Sequence, residues 1–420
     1  MRKVLFLTYY WPPSGKASVH WPLFIIKHLS KAGWQPIVLT VAEDTFNQKD
    51  ESLLSEIPPS LKVVKAKAIE PFNLYRKFTG KTSGETLVAS ETISLENASL
   101  THRLSIWIRM NLFIPDARIG WYPNAVAAGS RIFSDEKYDA IVSIGPPHSV
   151  HLAARSLAKK FDVPFVPVFI DPWTDIAYYR GFKRSALTLK TDNALEKAVL
   201  RDCFRAVFVT EAMEQDYLTK YSFMKGKSEI LYWGYNEENF SGLAPEEAVS
   251  GKVLLHAGNI FDYQDSPGLW REIRRRNDSG EAIRIRFIGT VSPGIRNSIS
   301  QNGLDGATEY RGFLPYGDVL RAMLGASYLL VCATESRHLP GKLFEYLRAG
   351  MPILAYGEDN DEIARLLKKS NAGMLLKYGD DPSVFFEAAS SFRADNSVVK
   401  EYDRARIAEK LGKILDNAFN

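Results

Sequence analysis

Cysteine is nearly absent: Cys203 and Cys332 are the only two in 420 residues, and they lie far apart. Neither a disulfide framework nor a cysteine-based zinc site can be built from such a pair, and the sparse usage suits a reduced, cytoplasmic chain. Long apolar runs are missing as well. No uninterrupted stretch reaches the ~18–20 residues a membrane helix needs. The first apolar run, Val4 to Leu7, is strand-length and is bounded by Trp11-Pro12-Pro13, unlike a secretory signal. There is no marked excess of one charge: 53 lysines and arginines against 49 aspartates and glutamates leave +4, too little to indicate nucleic-acid binding by itself. Glycine signatures of nucleotide binding are incomplete. The turn after the first apolar run has Gly15 without the further glycines of a dinucleotide fingerprint. Gly80-Lys81-Thr82 and Gly226-Lys227-Ser228 both lack the earlier glycine of a P-loop. His148 and His151 are spaced to share one helix face, but no third ligand accompanies them, so no metal site is expected.

What is present is ample apolar material, 45% of residues, in a chain long enough for two cores. Val4-Leu5-Phe6-Leu7 reads as a buried parallel strand. A Pro/Gly-rich loop follows it. Next comes a helical pattern through Leu23, Ile26 and Leu29, ended by Gly33, and then a second strand at Ile37-Val38-Leu39. Strands recur at Ala140 to Ser143, Phe165 to Ile170 and Ala206 to Val209. Residues 79–101, rich in serine and threonine, read as a mobile insertion. Past Tyr232-Trp233-Gly234-Tyr235 the texture turns polar and acidic. A fresh alternation then starts at Val253-Leu254-Leu255, with strands at Ile283 to Ile288, Tyr328 to Val331 and Ile353 to Tyr356. Two runs of β/α alternation predict two doubly wound parallel-sheet domains, residues 1–235 and 253–397. They would be joined by a linker at 236–252 and followed by an amphipathic helix within 398–420. Such sheets bind ligands at the carboxyl ends of their strands.

The strongest motif runs from Pro340-Gly341-Lys342-Leu343-Phe344-Glu345 to Gly350-Met351-Pro352. It reads as a loop, a short helix, a glycine cap and a strand. The helix start at Gly341, Lys342 and Leu343 offers backbone N–H groups to a diphosphate. Lys342 adds positive charge there, and Glu345, one turn on, can accept hydrogen bonds from the vicinal hydroxyls of a ribose. A solvated surface helix is the bland alternative. Ser14-Gly15-Lys16 follow the first strand, where backbone can approach a ligand. Gly145-Pro146-Pro147-His148 and Asp171-Pro172-Trp173 also follow strands. His148 there suits a sugar hydroxyl or a phosphate, and Asp171 suits orienting an acceptor hydroxyl or taking its proton; a packed histidine and a turn-capping aspartate are the plainer readings. Gly258-Asn259 and Gly289 end two strands of the second domain and suit close backbone approach to the donor, or simple turns.

Taken together, Lys3 to Lys16, Asp171-Pro172-Trp173, His256-Ala257-Gly258-Asn259-Ile260 and Pro340 to Pro352 resemble the retaining glycosyltransferases of family 4 over nearly the whole chain. The resemblance implies the GT-B fold, two Rossmann-like domains facing across a cleft. The second domain would hold a nucleotide-diphosphate sugar such as a UDP-sugar, the first an acceptor, and the final helix would cross back onto the first domain. Glu345 matches the second glutamate of the family's paired-glutamate motif. Arg337 stands where the first should be, and Glu335 nearby is the substitute. The family's basic pair after the first strand of the second domain is missing, leaving Lys342, Arg337 and the helix start to neutralise the diphosphate. No Asp-x-Asp motif stands at a strand end, in keeping with the family's metal independence.

The resemblance implies retention through a front-face displacement, with the diphosphate leaving and the protein supplying position and charge. It also implies a role in cell-surface polysaccharide or glycolipid synthesis. Residues 102–133 mix Arg103, Arg109, Arg118 and Arg131 with Trp107, Phe113, Trp121 and Tyr122. That mixture suits either a peripheral contact at the inner face of the cell membrane, carrying a lipid-linked acceptor, or an ordinary packed helix. Rival readings are a nucleotide-sugar epimerase on the same fold and a non-catalytic binding protein. No nucleic-acid partner is expected.

Overall fold

The computed structural model describes residues 1–42, 46, 49–69, 100–175, 182–247, 250–333 and 335–420, with backbone alone at residues 17 and 100–105. The insertion expected at 79–101 lies outside the described residues apart from Leu100 and Thr101, which open a helix. The chain divides into two compact units, Met1–Tyr232 with Ile407–Asn420, and Trp233–Arg406.

The first unit holds a seven-stranded parallel sheet: β1 (Arg2–Thr8), β2 (Trp34–Val41), β3 (Lys62–Ala66), β4 (Ala140–Gly145), β5 (Phe165–Phe169), β6 (Ala206–Phe208) and β7 (Ser228–Ile230). Its order is β3-β2-β1-β4-β5-β6-β7. Val4 to Leu7 and all six residues of β4 are buried, as expected of strands covered on both faces. Strand order reverses between β1 and β4, so the loops leaving them flank the switch point where such sheets bind ligands.

The second unit repeats the design with six parallel strands: β8 (Lys252–Ala257), β9 (Ile283–Ile288), β10 (Thr308–Tyr310), β11 (Tyr328–Cys332), β12 (Ile353–Tyr356) and β13 (Gly373–Leu376). The order is β10-β9-β8-β11-β12-β13, which puts the reversal between β8 and β11. Leu254, Ile285, Leu330 and Leu354 meet Trp270 and Phe385 in its core.

Three expectations shift. The boundary expected after residue 235 falls after Tyr232, and the described part of the 236–252 segment belongs to the second unit. Glu237 pairs with Arg348, and Glu246 with Arg286 and Arg311. The terminal helix expected from 398 is interrupted. Asp403 is extended and pairs with Tyr235, and the final helix runs Arg404–Asp416. From Ile407 onward it belongs to the first unit: Trp34 Nε1 donates to Asp416 at 3.2 Å and Arg2 pairs with the same carboxylate. Much of 102–133 is ordinary packing. Trp121, Ala125 and Ile132 are buried in the core, and the Trp121 indole donates to the Ala66 carbonyl at 3.2 Å.

Candidate functional site

In the first unit, the loops after β1, β4 and β5 carry Ser14-Gly15-Lys16, His148 and Asp171 at the carboxyl ends of neighbouring strands. Ser14 is buried, and its N–H bonds the Trp11 carbonyl, so only Gly15 and Lys16 of that turn are accessible. Gly145 has to be glycine: a Cβ would stand 2.6 Å from His151 Nε2 and 3.0 Å from His148 Nδ1. His148 lies flat on Trp173, with ring centroids 5.1 Å apart and an interplanar angle of 7°. Burial lowers its pKa to about 3, a marginal contact with the Pro172 carbonyl acting the other way. The ring is therefore neutral. Neither nitrogen makes a well-formed hydrogen bond among the described residues. Neighbouring His151 is held through Nδ1 by Ser143 Oγ at 2.7 Å, and burial holds its pKa well down too. Burial alone raises Asp171 to about 6. A neutral imidazole and a carboxyl titrating near neutrality are groups that can bind a hydroxyl and exchange its proton.

A layer beneath, which sequence reasoning missed, fixes this mouth. The Trp173 indole N–H donates to Asp192 at 2.7 Å, and Arg184 binds the other oxygen at 2.6 Å. Burial raises the Asp192 pKa, and the bonds from Arg184 and Trp173 oppose it. The backbone N–H of Trp173 donates to Tyr217 Oη at 2.9 Å, and that hydroxyl donates to Glu196 at 2.8 Å. Asp192 and Glu196 lie on the helix Ala186–Asp202, both fully buried. Four residues apart, they share a helix face, a spacing the sequence did show.

In the second unit, Gly258 (φ +111°) ends β8 and Gly289 (φ +117°) ends β9. Both conformations favour glycine, and at Gly289 neighbouring backbone leaves no space for a side chain as well. A Cβ on Gly289 would lie 2.6 Å from the Gly258 carbonyl oxygen, and one on Gly258 would lie 2.5 Å from Lys342 Nζ. Lys342 is thus aimed at the turn after β8, from the first position of the helix Lys342–Ala349 that follows β11. Its ammonium donates to His256 Nε2 at 3.4 Å, while His256 Nδ1 bonds the Leu330 carbonyl at 2.9 Å. Since only an N–H can serve a carbonyl, Nδ1 carries the proton and Nε2 presents its lone pair to Lys342. Burial lowers Lys342 to about 8. Burial also raises Glu345, against the bond from Tyr316 (2.5 Å) and the charges of Arg404 and Lys342. The two side chains, one turn apart, place a half-buried cation and a half-buried carboxylate at the strand-order reversal.

The other expected donor contacts divide. Leu343 is corrected: its side chain is fully buried and its N–H is spent on the Pro340 carbonyl at 3.0 Å, because the helix starts with a tight turn. Gly341 backs against Trp233, 2.7 Å from where its Cβ would be. Asn259 uses its side-chain oxygen to accept from the Thr290 N–H at 3.1 Å, tying the β8 and β9 turns together. Glu335 is half-buried and Arg337 exposed. Buried Asn360 grips their loop by donating to the Glu335 and His338 carbonyls (3.2 and 2.8 Å). His338, between them and Lys342, was also missed. Its pKa is lowered by burial and by the Lys342 charge, with Glu335 opposing. Among the described residues, no group of three or more His, Cys, Asp or Glu is placed to hold a metal ion.

No family model matches the sequence, and no protein of curated function matches it either. Solved structures do resemble it. HepE of Anabaena, solved with UDP and glucose, is 12% identical with a TM-score of 0.62 over 99% of this chain and 100% of that one. WaaG, a glycosyltransferase involved in lipopolysaccharide biosynthesis, is 14% identical with a TM-score of 0.54 over 98% and 99%. A UDP-N-acetylglucosamine 2-epimerase-like protein from Listeria monocytogenes is 12% identical with a TM-score of 0.54 over 97% and 94%. With its seven- and six-stranded parallel sheets, the chain has the GT-B fold that these enzymes share.

Proposed function

We propose that this chain transfers a sugar from a nucleotide-diphosphate donor, a UDP-sugar first among them, to a hydroxyl acceptor with retention at the anomeric carbon, as a member of glycosyltransferase family 4. The observation that carries the reading is the placing of Lys342 and Glu345, one turn apart and half-buried where strand order reverses, with Gly258 packed against the Lys342 ammonium. In this reading Lys342 meets the diphosphate and Glu345 the ribose. Gly258 and Gly289 leave room for the phosphates and nucleoside, and Glu335 and Arg337 reach the sugar and phosphate from their loop. Gly15, Lys16, His148 and Asp171 serve the acceptor. The leaving diphosphate gathers negative charge as the glycosidic bond breaks, and a lysine poised for it lowers that barrier without metal. The site would work in the cytoplasm on a cell-surface glycan or glycolipid.

A thermal-shift series with UDP-, GDP-, CMP- and dTDP-sugars tests the donor site. A ligand at 100 times its dissociation constant stabilises by about 2.7 kcal/mol, and no shift with any of them would remove the proposal. The likeness to an epimerase-like structure keeps a second reading in view. Donor consumption that requires an added acceptor excludes epimerisation.

Asp171 makes a separate prediction. As the group taking the acceptor proton it must be ionised. With a pKa of about 6, kcat/KM should fall roughly tenfold per unit below pH 6 and be level from there to about pH 8, where loss of the Lys342 ammonium begins. Asp171→Asn should abolish that limb and lower the plateau by about 10²–10⁴-fold. An unchanged pH–rate profile in the variant would clear Asp171 of the role.

A further inference from the structure

The second unit holds a cavity of about 450 Å³ at the end of the helix Lys342–Ala349 opposite Lys342, where the last turn of that helix meets Tyr235 and residues 396–406. Tyr235 stands in its wall. The residue is 1% exposed, its ring meets Phe240 edge-on at 6.1 Å, and its N–H and carbonyl are bonded to the Tyr402 carbonyl and the Arg404 N–H at 3.0 and 2.8 Å. Its hydroxyl makes no hydrogen bond among the described residues. A buried phenol with its hydroxyl unspent at a cavity wall calls for a partner in the cavity. Burial keeps that hydroxyl protonated, the charges of Asp403 and Glu237 acting the same way and Arg348 against them, so it can donate as well as accept. Arg348 is fixed beside it. Its guanidinium lies over Phe240, 5.0 Å from the ring centroid, and Nε and Nη2 both donate to the Glu237 carboxylate. Nη1 is left unspent among the described residues. Asp403 gives Oδ1 to the Ala405 N–H at 3.2 Å and keeps Oδ2. A donor fork, a carboxylate oxygen and a hydroxyl thus line one cavity, each already held by other contacts.

The lining identifies the ligand class. The volume suits a small molecule. Val399 is the one aliphatic side chain in the lining, so an acyl chain would find little to pack on. No aromatic face is open to a nucleobase, because the Tyr235 ring is buried. Fixed donors and acceptors close together suit the vicinal hydroxyls of a sugar, each of which both donates and accepts. The charge adds a second requirement. Arg348, Lys400 and Arg406 face only Glu237 and Asp403, and Glu237 is spent on Arg348. Lys400 and Arg406 are exposed at the rim, where an anion can reach them. We infer that this cavity is a second ligand site, for a sugar monophosphate, whose hydroxyls meet Tyr235 Oη, Asp403 Oδ2 and Arg348 Nη1 while its phosphate meets Lys400 and Arg406. The inference goes beyond the transfer reading and does not depend on it.

Calorimetric titration of the whole chain with glucose 1-phosphate, glucose 6-phosphate, glucose and inorganic phosphate tests it, with no nucleotide-sugar present. At least one of the two sugar phosphates should bind about tenfold or more tightly than glucose or inorganic phosphate, and more weakly as salt is added. Tyr235→Phe removes a hydroxyl that has no bond to lose, so the thermal midpoint of the free protein should hold while sugar-phosphate affinity falls roughly 5- to 10-fold. Lys400→Ala, on an exposed position, should weaken it by about tenfold. Lys342→Ala should bind the sugar phosphate as the native protein does, which separates this site from the donor site whatever the donor screen returns. Binding of neither sugar phosphate, equal affinity for inorganic phosphate, affinity indifferent to Tyr235→Phe and Lys400→Ala, or binding lost in Lys342→Ala would each overturn the assignment. The last would put the ligand in the donor site.

Discussion

Replacing Lys342 with alanine is expected to lower kcat/KM for the nucleotide-sugar by about 100-fold or more, the cost on the order of 3 kcal/mol of losing one preorganised group that stabilises developing charge. The same residue predicts a pH dependence whose sign follows from burial. In the free protein Lys342 titrates near 8, lowered by loss of hydration, with Cys332 and Glu345 pulling the other way. His256 faces it with a lone pair and carries no charge, because burial and the lysine itself hold its pKa well down. His338 is disfavoured as a cation for the same two reasons. The ammonium is thus the main charge that a diphosphate meets there, and it is present below pH 8 and lost above. Donor affinity should be level from about pH 7 to 8 and weaken by roughly tenfold for each further unit, 1.4 kcal/mol per decade. Calorimetric titration with UDP up to about pH 9.5 reads this directly. Lys342→Arg supplies a charge that does not titrate there and should flatten the upper limb even where its bulk weakens binding overall. An affinity that holds level to the end of the range in the native protein would sink the charge role.

The strands that the sequence made legible were those covered on both faces. β1, β2, β4, β5, β6, β8, β9, β11 and β12 each contain a short apolar run. The four it did not disclose are β3, β7, β10 and β13, and these are the four edges of the two sheets. An edge strand has one neighbour and a wet side. Ser228-Glu229-Ile230 and Thr308-Glu309-Tyr310 accordingly carry a glutamate at the centre, and no residue of either is fully buried. The same logic separates the site residues. Glycines at strand ends and a lysine at a helix start are local features and could be read from the chain. The partners that decide their chemistry are distant: His256 and Lys342 are 86 residues apart, and Tyr316 and Glu345 29 apart. Leu343 failed for a local reason, since whether a helix opens on a free N–H or on a tight turn is a backbone detail that residue type leaves open.

Glu196→Ala should be among the most damaging single changes to the first unit while leaving donor binding untouched. The carboxylate is fully buried and accepts from Tyr217 at 2.8 Å, from Tyr221 at 2.6 Å and from Lys220 at 2.7 Å. Burial and the glutamate charge push both phenol pKa values upward, so the hydroxyls remain donors at any working pH. Alanine would strand two phenol hydroxyls in a dry interior, and Lys220, which is partly exposed, would swing to water. Removing one partner of a buried charged pair costs about 3–5 kcal/mol. For a unit of this size that corresponds to roughly 6–20 °C in its unfolding midpoint. Glu196→Gln keeps one acceptor oxygen and the shape, so it should recover much of the loss. The consequence runs up a chain of contacts: Tyr217 braces the Trp173 backbone, Trp173 stacks on His148, and the acceptor side of the site rests on that stack. Turnover should therefore fall further than donor affinity. UDP titration should give the native Kd, because Lys342, Glu345, Gly258 and Gly289 all belong to the other unit. A variant that loses UDP binding together with its first-unit transition would show that the donor site leans on the first unit, and the division of labour proposed above would have to be withdrawn.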